Sequence, residues 1–371
     1  MSLPQFAIGL DIGGTKIKAG AVDAQAPSAQ ARIISSQQIP TPRAHPSDFY
    51  DAIASLITQI RHDAESQRVA LLPVVSVAHP GRFLPDGSLA RSTTPNLGLT
   101  PDEFDGLKPA EEIRRRVGGQ VHAENDAIAQ MRFGLDALLR DPATAGLLRG
   151  ETVVYLGPGT GMGGGVARIS AHGEVEVITD GHLFDLEVAG VGDGTLTAEE
   201  LFTGPSIARR VEAANAGLLE PIQPARAGQL SITLQQPSSS AEHRRIALEI
   251  AAEQAQILVA LIDTVRSGRI VKVRLERRPD GSVARARNEP DRAWPQADQD
   301  AVRGVTRFIL GGFVGTDRYF GAAVREDALR RLAQRGLGEI RILQIPVDSA
   351  DAGLLGIITA IPKKYLVLSG D

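Results

Sequence analysis

The opening of the chain alternates between short apolar runs and glycine. Phe6 to Asp11 is an apolar run, Gly13-Gly14-Thr15-Lys16 interrupts it, and Ile17 to Val22 resumes it, a pattern that predicts strand, tight turn, strand. From Ser47 to His62 the period changes: Phe49, Ile53, Leu56, Ile57 and Ile60 recur at three- and four-residue steps, which predicts an amphipathic helix with Ser47 as its N-cap. Leu72 to Val77 reads as a strand, Thr94 to Gly98 as turns, and a helix is expected ahead of the strand leading into Glu124-Asn125-Asp126. The opening pattern then returns, with an apolar run at Glu151 to Leu156, a glycine-rich turn at Gly157 to Gly165 and a strand at Val166 to Ile169. Two strand-glycine-strand units half a chain apart predict a duplicated α/β architecture.

Residues 219–240 hold prolines and serines with little periodicity and read as a loop before a long helix over Ala241 to Val265. Residues 268–304 read as an insertion: arginine-rich alternation at Val271 to Leu275, a Pro279-Asp280-Gly281-Ser282 turn and more alternation predict a β-hairpin. A buried strand at Phe308 to Leu310, a helix stopped by Gly336, a strand at Ile340 to Ile345 and a final helix from Asp351 to Ala360 complete the reading.

Composition narrows the class. With 371 residues, 43% of them apolar, the chain can bury cores for two domains. Its 40 basic and 44 acidic residues leave a net charge of −4, no footprint for nucleic acid, so a small neutral ligand is expected. The absence of cysteine excludes disulfides and thiolate zinc sites and fits a cytoplasmic address. No apolar stretch is long enough to span a bilayer.

The chemistry is concentrated at strand ends. The Gly13-Gly14-Thr15 turn can aim backbone amides at phosphate oxygens, with Asp11 holding a hydrated Mg²⁺; an ordinary glycine hairpin is the competing reading. Gly157 to Gly165 offers six glycines and Thr160, more than a hairpin needs, and invites a second phosphate clamp. Asp126, after a strand end, can take the proton of an attacking hydroxyl or cap a helix. His182 can bond a polar ligand or be a plain surface residue.

Taken in order, Asp11 to Lys16, Pro80-Gly81, Pro95-Asn96-Leu97, Glu124-Asn125-Asp126, Gly159-Thr160-Gly161, Gly311-Gly312 and Ala352 to Gly356 resemble the motifs of bacterial ROK kinases over nearly the whole chain. The resemblance implies a two-lobed, actin-like α/β fold of duplicated ribonuclease-H type with a ligand cleft between lobes. It implies an N-terminal lobe of 1–125 completed by 350–362, and a C-terminal lobe of 126–349. It implies ATP and Mg²⁺ near Asp11, Gly13, Gly14, Thr15 and Lys16, with Asp11 as the metal residue. Gly159, Thr160 and Gly161 would approach the nucleotide, and Gly311 and Gly312 its adenosine end. Asn96, Asn125, Asp126, His182 and Glu199 match sugar contacts, Asp126 being the base. A sugar or polyol acceptor and a homodimer follow, with no nucleic-acid or membrane partner.

Two departures stand out. Thr179 occupies the place of a family glutamate, so glucose is expected to be a poor acceptor beside an altered hexose, amino sugar or cyclitol. The family's zinc-binding cysteine segment falls on Gly190 to Thr197, which has none, so no structural zinc is expected. A regulator of the same family would carry a helix-turn-helix ahead of the phosphate turn, where only ten residues stand before Asp11; a catalytically weak sugar sensor is the other alternative.

Overall fold

The computed structural model describes residues 5–26, 28–94, 97–100, 102–179, 183, 185–191, 196–277, 283–287, 293–346 and 350–361. These form two compact units, one holding the described residues up to Asp141 and those after Pro346, the other running from Pro142 to Pro346.

In the first unit the elements are β1 Phe6–Ile12, β2 Lys16–Asp23, β3 Ile33–Pro40, α1 Pro46–Ser66, β4 Leu71–His79, α2 Pro109–Val117, β5 Gln120–Asn125 and α3 Asp126–Arg140. The sheet runs β3-β2-β1-β4-β5, with β1, β4 and β5 parallel and β2 and β3 antiparallel. Successive side chains of a strand point to opposite faces. Ile8, Leu10 and Ile12 of β1 therefore share a core with Phe49, Ile53, Ile57 and Ile60 of α1, the stripe that the sequence predicts. The helix begins one residue ahead of Ser47: Pro46 fills its first turn behind His45, and no side chain caps it.

The second unit holds α4 Pro142–Leu148, β6 Thr152–Pro158, β7 Met162–Ile169, β8 Val175–Thr179, α5 Ala198–Leu201, α6 Gly204–Asn215, α7 Ala227–Gln235, α8 Ala241–Arg266, β9 Val273–Arg277, β10 Val283–Arg287, α9 Gln296–Val302, β11 Arg307–Leu310, α10 Gly312–Thr316, α11 Phe320–Gln334 and β12 Arg341–Gln344. Its main sheet runs β12-β11-β6-β7-β8, again with three parallel strands flanked by two antiparallel ones. The two sheets thus share one connectivity, the duplication anticipated from the repeated glycine turns. Helix α8 buries Ile257, Leu258, Leu261, Ile262 and Val265 in this unit's core, each contributing about 1.5–3 kcal/mol relative to exposure.

Two sequence expectations are corrected. Residues 219–240 are not all loop: Ala227–Gln235 is helical and buries Ala227, Leu230, Ser231 and Thr233, a face too short and too polar to show helical periodicity. The division between units also falls at Asp141 and not after residue 125. Helix α3 stays with the first unit because it packs on α12, Ala352–Thr359, and the two together cover the face of the β-sheet opposite α1. The contact is close. A Cβ at Gly356 would collide with the Ala129 carbonyl of α3, so glycine is required there.

Candidate active site

The first unit brings Asp11 and Asp126 to one edge of its sheet. Asp11 pairs in register with Ala78 of β4, and Ala78 with Glu124 of β5, so all three lie at the carboxyl ends of parallel strands. Asp126 follows two residues beyond Glu124, as the first residue of α3. The carboxyl edge of parallel strands is where open α/β sheets bind ligands.

Local geometry holds each acid in place. Asn125 is the N-cap of α3: its Oδ1 accepts from the amides of Ala127 (2.9 Å) and Ile128 (3.3 Å), and its Nδ2 donates to the Gly81 carbonyl (3.0 Å). The Pro80-Gly81 motif thus presents a carbonyl to the cap, and Gly81 has φ +105°, a left-handed conformation that favours glycine. Asp126 is therefore not the cap, and one oxygen of its carboxylate accepts from the Ala127 amide at 2.9 Å. Glu124 is clamped by both arms of Arg132 (2.8 Å each), which ties β5 to α3.

Electrostatics set the two acids apart from ordinary carboxylates. Burial pushes Asp126 up to about 7, with the negative charge of Asp11 adding to it and the Ala127 amide opposing it. Burial also lifts Asp11 to about 6; Lys16 and Lys18 pull it down and Asp351 pushes it up. Lys18, opposite Asp11 on β2, is ion-paired with Asp351 at the start of α12. Two buried acids raised in this way at a ligand-binding sheet edge mark a candidate functional site.

Beside them the Gly13–Lys16 turn is fixed from β3. The Gly13 amide donates to the Lys16 carbonyl (2.9 Å), while Thr41 donates its hydroxyl to Gly13 O (2.6 Å) and its amide to Thr15 O (3.1 Å). Gly14, Thr15 and Lys16 are left exposed. Thr41, the Lys18–Asp351 pair and Gly353, which touches Asp11, were not legible as site residues, since each lies far from Asp11 in sequence or on a strand that reads as plain core. His79, at the end of β4, was missed too. Its ring meets the Pro80 carbonyl (2.5 Å) and the Tyr50 hydroxyl (3.2 Å), and burial holds it at about 4, a neutral member of the core beneath the edge.

The second unit assembles Gly159, Thr160, Gly161 and Glu199. The Gly159 amide donates to the Gly161 carbonyl (2.8 Å) and Gly159 O accepts from the Gly204 amide (2.8 Å), while Thr160 is exposed at the tip. Glu199 Oε2 accepts from the Met162 amide (3.2 Å), and a Cβ at Gly161 would lie 3.1 Å from it. Burial of its carboxyl end raises the Glu199 pKa, Asp185 and Glu200 add to this, and the Met162 amide opposes it. Gly311 donates its amide to Leu156 O (2.8 Å). Gly312 has φ +58°, and a Cβ there would strike the Pro158 carbonyl, so both terms demand glycine at the end of β11. Thr179 ends β8 buried, its hydroxyl without a hydrogen-bond partner among the described residues. Asn96 and His182 lie outside the described residues.

The sequence model of the ROK family matches residues 7–264. The chain belongs to the ROK family. It is 31% identical over 168 residues to a glucokinase of Streptomyces coelicolor, 43% of each protein. It is 29% identical over 161 residues to an N-acetyl-D-glucosamine kinase of Salmonella heidelberg, 43% of this chain and 45% of that one. The matched region thus spans under half the length of these curated relatives. Among solved structures, a ROK family glucokinase from Streptomyces griseus, in complex with glucose and AMPPNP, superposes with a TM-score of 0.59 at 20% identity, over 96% of this chain and 98% of that one. Likeness at that identity establishes the two-sheet α/β fold of the ROK sugar kinases.

Proposed function

We propose that this ROK protein is an ATP-dependent carbohydrate kinase that transfers the γ-phosphoryl group of ATP to a hydroxyl of a hexose or hexose-like polyol. The observation that carries the reading is Asp126: a carboxylate fixed at the first residue of α3, poised at about 7 beside a second acid. The kinase relatives support it.

In this reading the acceptor oxygen attacks the γ-phosphorus, the bond to the β-phosphate oxygen breaks, ADP leaves, and Asp126 takes the hydroxyl proton. Asn125 keeps Asp126 in place through the cap. Glu199, Asn96 and His182 are the proposed sugar contacts, while the turns at Gly13–Lys16, Gly159–Gly161 and Gly311–Gly312 serve the nucleotide. Such sites work by positioning and charge neutralisation. The residues at the first unit's edge fit Mg²⁺. The donor set is Asp11 with Asp126 nearby, oxygen ligands that suit an ion which keeps several waters and uses few protein carboxylates. Asp11 would hold it, and the bound ion supplies positive charge to the phosphate oxygens.

The test is ADP release from Mg-ATP across hexoses, amino sugars and cyclitols. Acceptor-dependent ADP formation is expected. Calorimetric sugar binding with no turnover of any acceptor would overturn the proposal and leave a sugar sensor.

A further inference from the structure

The 268–304 insertion grips the stretch of chain that carries Glu199. Lys272, directly before β9, is ion-paired with Asp185; their side chains are 1% and 5% exposed, and the Lys272 ammonium lies 5.8 Å from the ring centroid of Trp294. The backbone adds two links, Val273 N–H to Asp185 O and Glu187 N–H to Val271 O, both 2.8 Å. On β10, Arg285 and Arg287 stand two residues apart and so project from the same face. Arg285 forks onto Glu200 (3.0 and 3.2 Å), and Arg287 forks onto Glu187 (2.7 and 3.1 Å).

Glu200 is itself fixed. It accepts from the Thr197 amide (2.9 Å) and hydroxyl (3.0 Å), closing a capping box around α5. Burial alone would raise its pKa, but Arg285 and Thr197 outweigh burial and hold it below the usual carboxylate range. Helix α5 is a single turn, Ala198–Leu201, and a single turn cannot sustain itself in water. Its hold comes from outside: Ala198 and Leu201 are buried in the second unit's core, and the Ala198 amide donates to Leu186 O (2.8 Å), which leaves the polar side of the turn to Glu200. Bidentate arginine–carboxylate pairs fix direction as well as distance. Arg285 therefore adds a directional tie on the polar side of the turn from which Glu199 reaches Gly161 and Met162.

We propose that the β9–β10 hairpin is a brace that positions Glu199 for the sugar, with Arg285 as a positioning residue acting through Glu200. The proposal rests on the reading of Glu199 as a sugar contact, and the experiment separates the two. Wild type, Arg285→Met, Arg285→Lys, Glu199→Gln and the Arg285→Met/Glu199→Gln double variant are compared in steady-state kinetics with glucose and with N-acetylglucosamine, and by amide hydrogen exchange over 196–202.

Arg285→Met is expected to raise the sugar KM about tenfold while kcat and the KM for Mg-ATP stay within about twofold, with Arg285→Lys intermediate because lysine cannot fork. Exchange over 196–202 should quicken about tenfold in Arg285→Met and less in Arg285→Lys. The double variant should be no worse than Glu199→Gln alone, since the brace acts through Glu199. A raised sugar KM in Glu199→Gln with none in Arg285→Met would overturn the brace and leave Glu199 standing. An unchanged sugar KM in Glu199→Gln would overturn the role of Glu199 and the brace's purpose with it. Unchanged exchange in Arg285→Met would overturn the brace on structural grounds, whichever sugar turns over. Should Arg285→Met fail to fold, Arg285→Lys carries the same comparison.

Discussion

Gly353 stands directly against the carboxylate of Asp11: a Cβ on Gly353 would lie 2.5 Å from Asp11 Cγ and Oδ2. The first turn of α12 therefore sets where that carboxylate can point. Gly353→Ala must displace the acid or the helix, since carbon atoms do not approach so closely. Its expected signature is a kcat/KM lowered by about tenfold or more and an increased demand for Mg²⁺, measured by titrating the metal at fixed ATP. A variant with unchanged Mg²⁺ dependence would show that Asp11 takes no part.

Stability should carry the mark of Asp126. Its carboxyl titrates at about 7 in the folded protein against an ordinary 3.8, so the native state binds more protons than the unfolded one between those values. Stability contributed at this site accordingly falls as pH rises through that window and is constant above it. Asp126→Asn removes the buried charge and keeps an oxygen for the Ala127 amide. Calorimetry without nucleotide should find the variant's Tm above that of the wild type at pH 8, with the gain shrinking toward pH 5. An equal or lower Tm at pH 8 would contradict the raised pKa.

The elements most legible in the sequence were those with strong periods or apolar runs: β1, β2, α1, α8 and β11 fall where Phe6, Ile17, Phe49, Ile246 and Phe308 place them. The carboxyl-edge acids were legible because Asp11 lies in the last residues of an apolar strand that runs into glycine, and Asp126 directly follows a strand that closes on Asn125. What escaped depended on contacts across the chain. Helix α7 has no polar–apolar contrast to announce it. The assignment of α3 to the first unit depends on Gly356 meeting Ala129. Helix capping by Asn125 and not Asp126 turns on a Gly81 carbonyl more than forty residues away in sequence. The arginine-rich hairpin showed its strands in alternation, but its partners lie far off in sequence: Glu187 is 100 residues from Arg287, and Glu200 is 85 residues from Arg285.

Specificity is expected to turn on Thr179. Its buried hydroxyl has no partner among the described residues, and an unsatisfied buried hydroxyl costs about 1–3 kcal/mol unless something bonds it. Thr179→Val should therefore leave the apo Tm equal or higher while raising the sugar KM several-fold. A higher Tm with no change in sugar KM for any acceptor would remove Thr179 from the sugar site.

Structural zinc should be absent. The resemblance to the family's zinc-binding segment puts Gly190, Gly192 and Thr197 where thiolates are expected, and the chain contains no cysteine. Elemental analysis after dialysis should find less than stoichiometric zinc, and a chelator that spares Mg²⁺ should leave Tm unchanged. One tightly held zinc per chain would refute this.

Whether Asp126 is the base is decided by acceptor-dependent ADP release in wild type and Asp126→Asn, measured side by side with nucleotide affinity. Sugar-dependent turnover is expected in the wild type, with a kcat lower by about 10²-fold or more in the variant and an unchanged Kd for the non-hydrolysable nucleotide AMPPNP in the presence of Mg²⁺. Turnover in Asp126→Asn within a few-fold of the wild type would contradict it.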